Sequence, residues 1–298
     1  MSSVAPVLID GVIYSSWLFI IAVGLTLIYG VMRILNLAHG SLYALGAYAA
    51  ASLVGLWFAR GYAPLGSYAA LAVSGVLVGI TVGPLIERGL LRWLYGKDEI
   101  VLVLVTYALF LILEDLIKLV WGVESYVISE PYGLLGSFTL AGVTYPVYNG
   151  VLVMVAVLVA VLLTWVLART RSGKLLVAVI HDRETAAALG INVSRVYLVT
   201  FTAGTTLAAI GGALTAPTVS VLPGMGVEVI VLAFAVVVIG GLGSLPGAAL
   251  GALIVGLVRS ASVHWAPQFE LFAIYGVMAL VLLVRPKGLF AGIEARKI

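Results

Sequence analysis

Apolar residues run along this chain in long blocks, broken by short polar or glycine-rich stretches. The longest blocks are Leu8–Met32, Leu65–Ile86, Ile100–Val120, Pro146–Leu167, Val196–Ala216 and Phe269–Val284. Shorter ones are Ser41–Ala59, Val229–Ile239 and Gly247–Val258. A hydrocarbon layer about 30 Å thick needs about 20 apolar residues per helix. The long blocks meet that length, and they lack the two-residue alternation over about ten positions that marks barrel strands. The pattern predicts an all-α polytopic membrane protein with about 8–10 hydrophobic helical elements, some short or broken.

Composition agrees. Of 298 residues, 63% are hydrophobic and 10% charged, with mean hydropathy +1.20. A water-soluble domain is about 25% charged, so this chain cannot cover itself with polar groups. That excludes a soluble globular protein, a disordered chain and a nucleic-acid binder. The net charge of +3 is small, and the 16 Lys and Arg cluster in a few loops. There is no cysteine, hence no disulfide, zinc-thiolate site or thiol nucleophile.

The basic residues predict the sides of the membrane. Arg88, Arg92 and Lys97 share one loop; Arg169, Arg171, Lys174, Arg183 and Arg195 share a second; Arg285, Lys287, Arg296 and Lys297 form the C-terminal tail. These regions are expected on the cytoplasmic side. The connection Trp121–Tyr145 has no Lys or Arg and is expected outside. Counting elements then puts the N-terminus outside and the C-terminus in the cytoplasm. The first block lacks a basic leader and carries Asp10, so it reads as a permanent span.

Glycines recur every four residues at Gly75, Gly79 and Gly83, and again at Gly243, Gly247 and Gly251. That spacing puts small residues on one helix face, for packing within a subunit or against another. Two breaks, Arg33–Gly40 and Gly240–Gly247, each precede a short helix. Irregular backbone at membrane depth survives where it is buried in protein or lines a wet cavity. The candidate translocation path is therefore Asn36, His39, Gly40, Gly240, Gly241, Gly243 and Ser244; tight cytoplasmic turns are the other reading. His39 either buttresses its break with Asn36 or meets the solute. Glu114 and Lys118, four apart, are expected to pair, and Glu228 to favour a helix dipole. No span carries a ladder of acids, which argues against proton-driven transport.

The largest basic loop, 169–195, contains Asp182 as a candidate N-cap, a short helix over Arg183–Leu189 and Gly190 in the C′ position. Such a helix is too short to stand alone, and it suggests docking into a partner's groove.

Four separated motifs, in order, carry a resemblance. They are the segment Gly24–Gly40, Gly190-Ile191 after its alanine run, Ile239–Ala248 and Arg285-Pro-Lys-Gly-Leu-Phe290. Together they resemble the permease subunits of branched-chain amino acid ABC importers, and the N-terminal motif resembles the shorter of the two paired permeases. The resemblance implies one transmembrane permease domain, 1–298, in a bacterial or archaeal plasma membrane. It implies a second permease subunit, a paralogue; two cytoplasmic ATPase subunits; and a periplasmic or lipid-anchored solute-binding protein. Loop 169–195 would be the coupling loop, similar to the "EAA" loop of ABC permeases, with Arg183, Glu184, Ala187, Gly190 and Ile191 meeting the ATPase. Thr185 follows Glu184 where that motif has Ala; a small side chain suffices there. The resemblance extends to importers of urea, amides and aromatic acids.

The chain has no phosphate-binding loop of its own: Gly96-Lys97 is followed by Asp98 and Gly173-Lys174 by Leu175, so neither offers the hydroxyl that holds Mg²⁺. No catalytic residue, cofactor or metal is expected. A stand-alone channel, facilitator or secondary transporter would not need a docking helix. An intramembrane hydrolase would have to pair Ser244 with His264 across the membrane.

Overall fold

The computed structural model describes residues 4–140 and 142–290. Its helices are α1 (Val4–Met32), α2 (His39–Ala59), α3 (Ser67–Gly89), α4 (Glu99–Trp121), α5 (Glu130–Gly133), α6 (Val147–Arg169), α7 (Arg171–His181), α8 (Arg183–Ala188), α9 (Val193–Thr215), α10 (Met225–Gly240), α11 (Leu245–Trp265) and α12 (Glu270–Val284). A hairpin of β1 (Ser137–Leu140) and β2 (Val143–Pro146) links α5 to α6. Among the described residues, eight helices are long and apolar enough to span a membrane, and α10 is apolar but shorter. These are the nine apolar blocks of the sequence.

Two blocks extend further than hydropathy alone implies. Helix α2 starts at His39, and α11 continues past Arg259 to Trp265. Arg259 is tolerated there because its guanidinium pairs with Glu270 at 2.6 Å and stacks on the Tyr14 ring at 3.9 Å. Helix α7 has no apolar block of its own; it is amphipathic, burying Gly173 and Val179.

Helix α1 is the centre: 78% of its most apolar stretch is buried, against 6% for the last span, at the rim. It packs on α11 and α9, while α3 lies along α9. Two tight seams, α3 on α9 and α10 on α11, depend on glycine. A Cβ on Gly79 would stand 2.3 Å from the Thr206 Cα, and one on Gly75 2.7 Å from the Ile210 Cα. On the other side, a Cβ on Gly251 would meet the Val236 carbonyl at 2.3 Å and one on Gly247 the Gly240 carbonyl at 2.2 Å. Both glycine rows therefore pack helices within the subunit.

The connectivity repeats with reversed direction. Helix α1 ends at Arg33, the non-glycine residue with positive φ (56°) among those described. Residues 33–38 turn back, so that α2 begins with His39 Nε2 3.0 Å from the Ile21 carbonyl, part-way along α1 rather than at its end. Residues 216–224 do the same after α9, and α10 begins beside the start of α2. The Gly40 and Gly226 backbones touch there: a Cβ on Gly40 would lie 2.2 Å from the Gly226 carbonyl. From that meeting point α2 runs toward Trp121, whose indole donates to Ser52 at 2.7 Å. Helix α10 runs the opposite way, toward Gly241 and Phe290. The break matching Arg33–Gly40 is thus 216–224, and not Gly240–Gly247, which joins α10 to α11 as 60–66 joins α2 to α3.

Glu114 lies between the converging helix starts. It is 6% exposed; its Oε2 accepts from the Gly224 N–H at 3.0 Å and its Oε1 lies 3.5 Å from the Ser41 hydroxyl. The expected Glu114–Lys118 pair does not form. Lys118 turns outward to Asp115 at 3.2 Å, because Phe110, Leu113, Glu114 and Ile117 form the buried face of α4. Arg296 and Lys297 of the tail lie outside the described residues.

Candidate functional site

Two regions carry the chemistry, at opposite ends of the fold. The first is the arm made by α7 and α8. Thr170 caps α7, its hydroxyl accepting from the Gly173 N–H at 3.0 Å. Asp182 caps α8: its Oδ1 accepts from the N–H groups of Glu184 (2.9 Å) and Thr185 (3.0 Å), and its Oδ2 from the Thr185 hydroxyl at 2.5 Å. The Thr185 hydroxyl and N–H, with the Glu184 N–H, hold the Asp182 carboxyl below the usual carboxylate range.

Gly190, at φ +84°, ends α8. Its N–H donates to Ala187 and the Ile191 N–H to Ala186, both at 3.0 Å, which is a Schellman closure. Ala186 alone of α8 is buried. Arg183, Glu184, Ala187 and Gly190 are exposed, as is Leu189 at 77%, while Ile191 is half-buried. Arg183 lies 5.7 Å from the centre of the Tyr197 ring. The arm is short, exposed and locked at both ends. Behind it a groove of about 560 Å³ opens between α6, α7 and α9, with Gly190, Ile191 and Arg195 among its lining residues.

The residues of the two breaks sit apart from each other. Asn36 and His39 are fully buried, and Gly40 packs on Gly226. Among the described residues neither polar atom of the Asn36 amide, nor His39 Nδ1, has a hydrogen-bond partner. At the far end of α10, a Cβ on Gly240 or Gly241 would strike the carbonyl of Gly247 or Phe290 at 2.1 or 2.0 Å, and Gly243 lies against Gly30. Ser244 caps α11, accepting from the Gly247 N–H at 3.1 Å.

The second region is a cavity of about 680 Å³ at the end of the fold where α1 starts. None of the residues predicted for the path, Asn36, His39, Gly40, Gly240, Gly241, Gly243 and Ser244, lines it, whereas the 216–224 break contributes Thr218, Ser220 and Gly224 to its wall. Its wall combines charge (Asp10, Glu228, Arg259), aromatic and hydroxyl groups (Tyr14, Trp17, Tyr43, Thr215) and aliphatic surface (Ile13, Val229, Leu232). Tyr43 and Thr215 bond to one another through their hydroxyls at 2.7 Å. Asp10 pairs with His264 at 3.3 Å. A volume in this range and an apolar wall with a few polar groups suit a small amphipathic ligand. Sequence reasoning missed this wall, although Asp10, Glu228 and Arg259 are ionisable residues inside or beside apolar blocks, which is itself a signal of function in membrane helices.

The family model described as "Branched-chain amino acid transport system / permease component" matches residues 7–284. The chain belongs to this family. It is 31% identical to the high-affinity branched-chain amino acid transport system permease protein BraD of Pseudomonas aeruginosa, over 98% of this chain and 97% of that one. It is 27% identical to LivH of Escherichia coli K12, over 97% and 96% of the two chains, a permease protein of the same description. It is 29% identical to a probable branched-chain amino acid transport permease protein LivH of Methanocaldococcus jannaschii, over 98% and 94%. No solved structure matches. Membership makes the chain a multi-pass membrane permease and a component of a larger transport system. For a permease, an amphipathic cavity at one end and an exposed arm at the other are the parts that need explaining.

Proposed function

We propose that this permease forms part of the translocation path of an ABC importer for branched-chain amino acids. Its N-terminus and cavity face the outside; the α7–α8 arm and the C-terminus face the cytoplasm. It works as one transmembrane unit, 1–298, beside a second permease subunit, a paralogue of this chain. Two ATPase subunits dock on loop 169–195, and a periplasmic or lipid-anchored binding protein delivers the solute to the cavity. The chain has no phosphate-binding loop, so ATP hydrolysis falls to those separate subunits. The observation that carries the reading is the amphipathic 680 Å³ cavity, walled by apolar surface with Glu228, Asp10 and Arg259 set in it. Its mixture of charge and aliphatic wall suits a solute with charged and branched apolar ends.

From the cavity the solute passes the meeting of α2 and α10, where Asn36, His39 and Gly40 stand, toward Gly240, Gly241, Gly243 and Ser244. The unpartnered amide of Asn36 and Nδ1 of His39 support this route, since buried polar groups lacking partners are costly unless water or a ligand visits them. The exposed arm supports the coupling role of Arg183, Glu184, Ala187, Gly190 and Ile191.

Uptake of labelled leucine by cells expressing this chain with its partner subunits tests the reading. ATP-dependent accumulation is expected, and it disappears when the ATPase subunits are omitted. Continued uptake without them would replace the importer by a facilitator. Single cysteines test the route without background, because the chain has none. Cysteines at positions 36, 40, 241 and 244 that never react with a water-soluble thiol reagent in any nucleotide state would exclude it.

A further inference from the structure

We infer that Glu228 is the group in the outer cavity that receives the solute's ammonium, so that the cavity accepts ammonium-bearing solutes and rejects carboxylates lacking one. This rests on the proposed path and names the chemistry that selects within it.

Two carboxylates and one guanidinium line the cavity, and two of these three groups already have side-chain partners. Arg259 pairs with Glu270 at 2.6 Å and lies on the face of Tyr14. Asp10 pairs with His264 at 3.3 Å. Glu228 is exposed in the cavity wall on the first turn of α10, with no hydrogen-bond or ion-pair partner among the described residues. It stands within electrostatic reach of the Tyr14 and Tyr43 hydroxyls, which line the same space. The arginine's charge is spent on Glu270, so an anion entering alone finds no uncompensated cation. An ammonium finds the one cavity carboxylate without a hydrogen-bond or ion-pair partner among the described residues. Its branched chain can then lie on Ile13, Val229 and Leu232 of the same wall.

The Glu114 carboxylate does not compete for this role. It is buried behind the start of α10 and satisfied by the Gly224 N–H. The two acids thus divide the labour, one holding the helix start and the other facing the cavity.

The test uses the assembled transporter in lipid nanodiscs, without its binding protein, and two labelled probes. L-leucinamide keeps the ammonium and lacks the carboxylate; 4-methylpentanoate is the reverse. The wild type is expected to retain the amide about tenfold more tightly, the scale of one charge-assisted hydrogen bond. Glu228→Gln should erase that preference and Glu228→Asp keep part of it. In leucine uptake with the binding protein present, Glu228→Gln should lower the maximal rate about tenfold per transporter in the membrane. KM should change little, since the binding protein's affinity sets it.

Equal binding of the two probes by the wild type overturns the inference, even if the variant fails to assemble. So does an unchanged probe preference or unchanged uptake in Glu228→Gln. Those results leave the importer reading standing. Absence of any ATP-driven amino acid uptake by the wild type removes that reading, and this inference with it.

Discussion

Replacing Glu114 tests how the interrupted helices are held. The N-terminal ends of α2 and α10 meet at Gly40 and Gly226, and the Glu114 carboxylate lies against both. Each helix start carries roughly half a positive charge, so two of them match one carboxylate. Glu114→Gln keeps an acceptor for the Gly224 N–H but removes the charge. The difference between a charged and a neutral hydrogen bond, with part of two helix-dipole terms, amounts to about 2 kcal/mol. Glu114→Leu also leaves that N–H without an acceptor, adding about 1–3 kcal/mol. At about 2–4 °C per kcal/mol for a chain of this size, the melting temperature of the assembled transporter in detergent should fall by about 5 °C for Gln and about 10 °C or more for Leu. Asp115→Asn is the control. Asp115 is 79% exposed and its bond to Lys118 is a surface pair, so it should shift the melting temperature by less than about 3 °C. Equal shifts for positions 114 and 115, or a Gln variant as stable as wild type, would refute the account.

Other outcomes follow from the same geometry. Gly79→Ala places a Cβ 2.3 Å from the Thr206 Cα, forcing α3 off α9 by roughly 1–2 Å at a cost of about 1–3 kcal/mol. Gly55→Ala on α2 meets nothing within 4 Å and should stabilise by about 0.5–1 kcal/mol; paired melting curves showing no difference would sink the seam. Gly190→Val must hold a β-branched residue at φ +84°, costing about 1–3 kcal/mol locally. It should reduce co-purification of the ATPase subunits or uncouple hydrolysis from uptake, and normal values of both would count against the arm. Because the Asp182 carboxyl is held low, its capping of α8 is complete at neutral pH and is lost as the pH falls through that lowered value. Amide exchange at Glu184 and Thr185, corrected for intrinsic rates, should therefore accelerate in acid. Asp182→Asn should abolish that acceleration, and the same pH response in the variant would assign it elsewhere.

What the chain determines alone is what depends on neighbours in sequence. Long apolar blocks become helices because every backbone polar group in lipid must be satisfied within the segment, so nine hydrophobic elements could be counted directly. The ends of α8 were equally readable, since Asp182 and Gly190 act through bonds to residues two to four positions away. Helix α7 escaped because an amphipathic surface helix has no apolar block. Arg259 stopped the reading of α11 early because hydropathy cannot see that Glu270 and Tyr14 will neutralise and cover it.

The tertiary structure alone decided which breaks correspond, since 33–38 and 216–224 share no residue pattern and are related by where α2 and α10 begin. It alone sent Glu114 inward to Gly224 rather than along its helix to Lys118, because the packed face of α4 and not the four-residue spacing set its rotamer. It alone assembled the cavity, whose charged wall draws Asp10 from α1, Glu228 from α10 and Arg259 from α11. Helical periodicity relates residues three or four apart; the charged side chains of this wall come from positions 10, 228 and 259, and only packing brings them together.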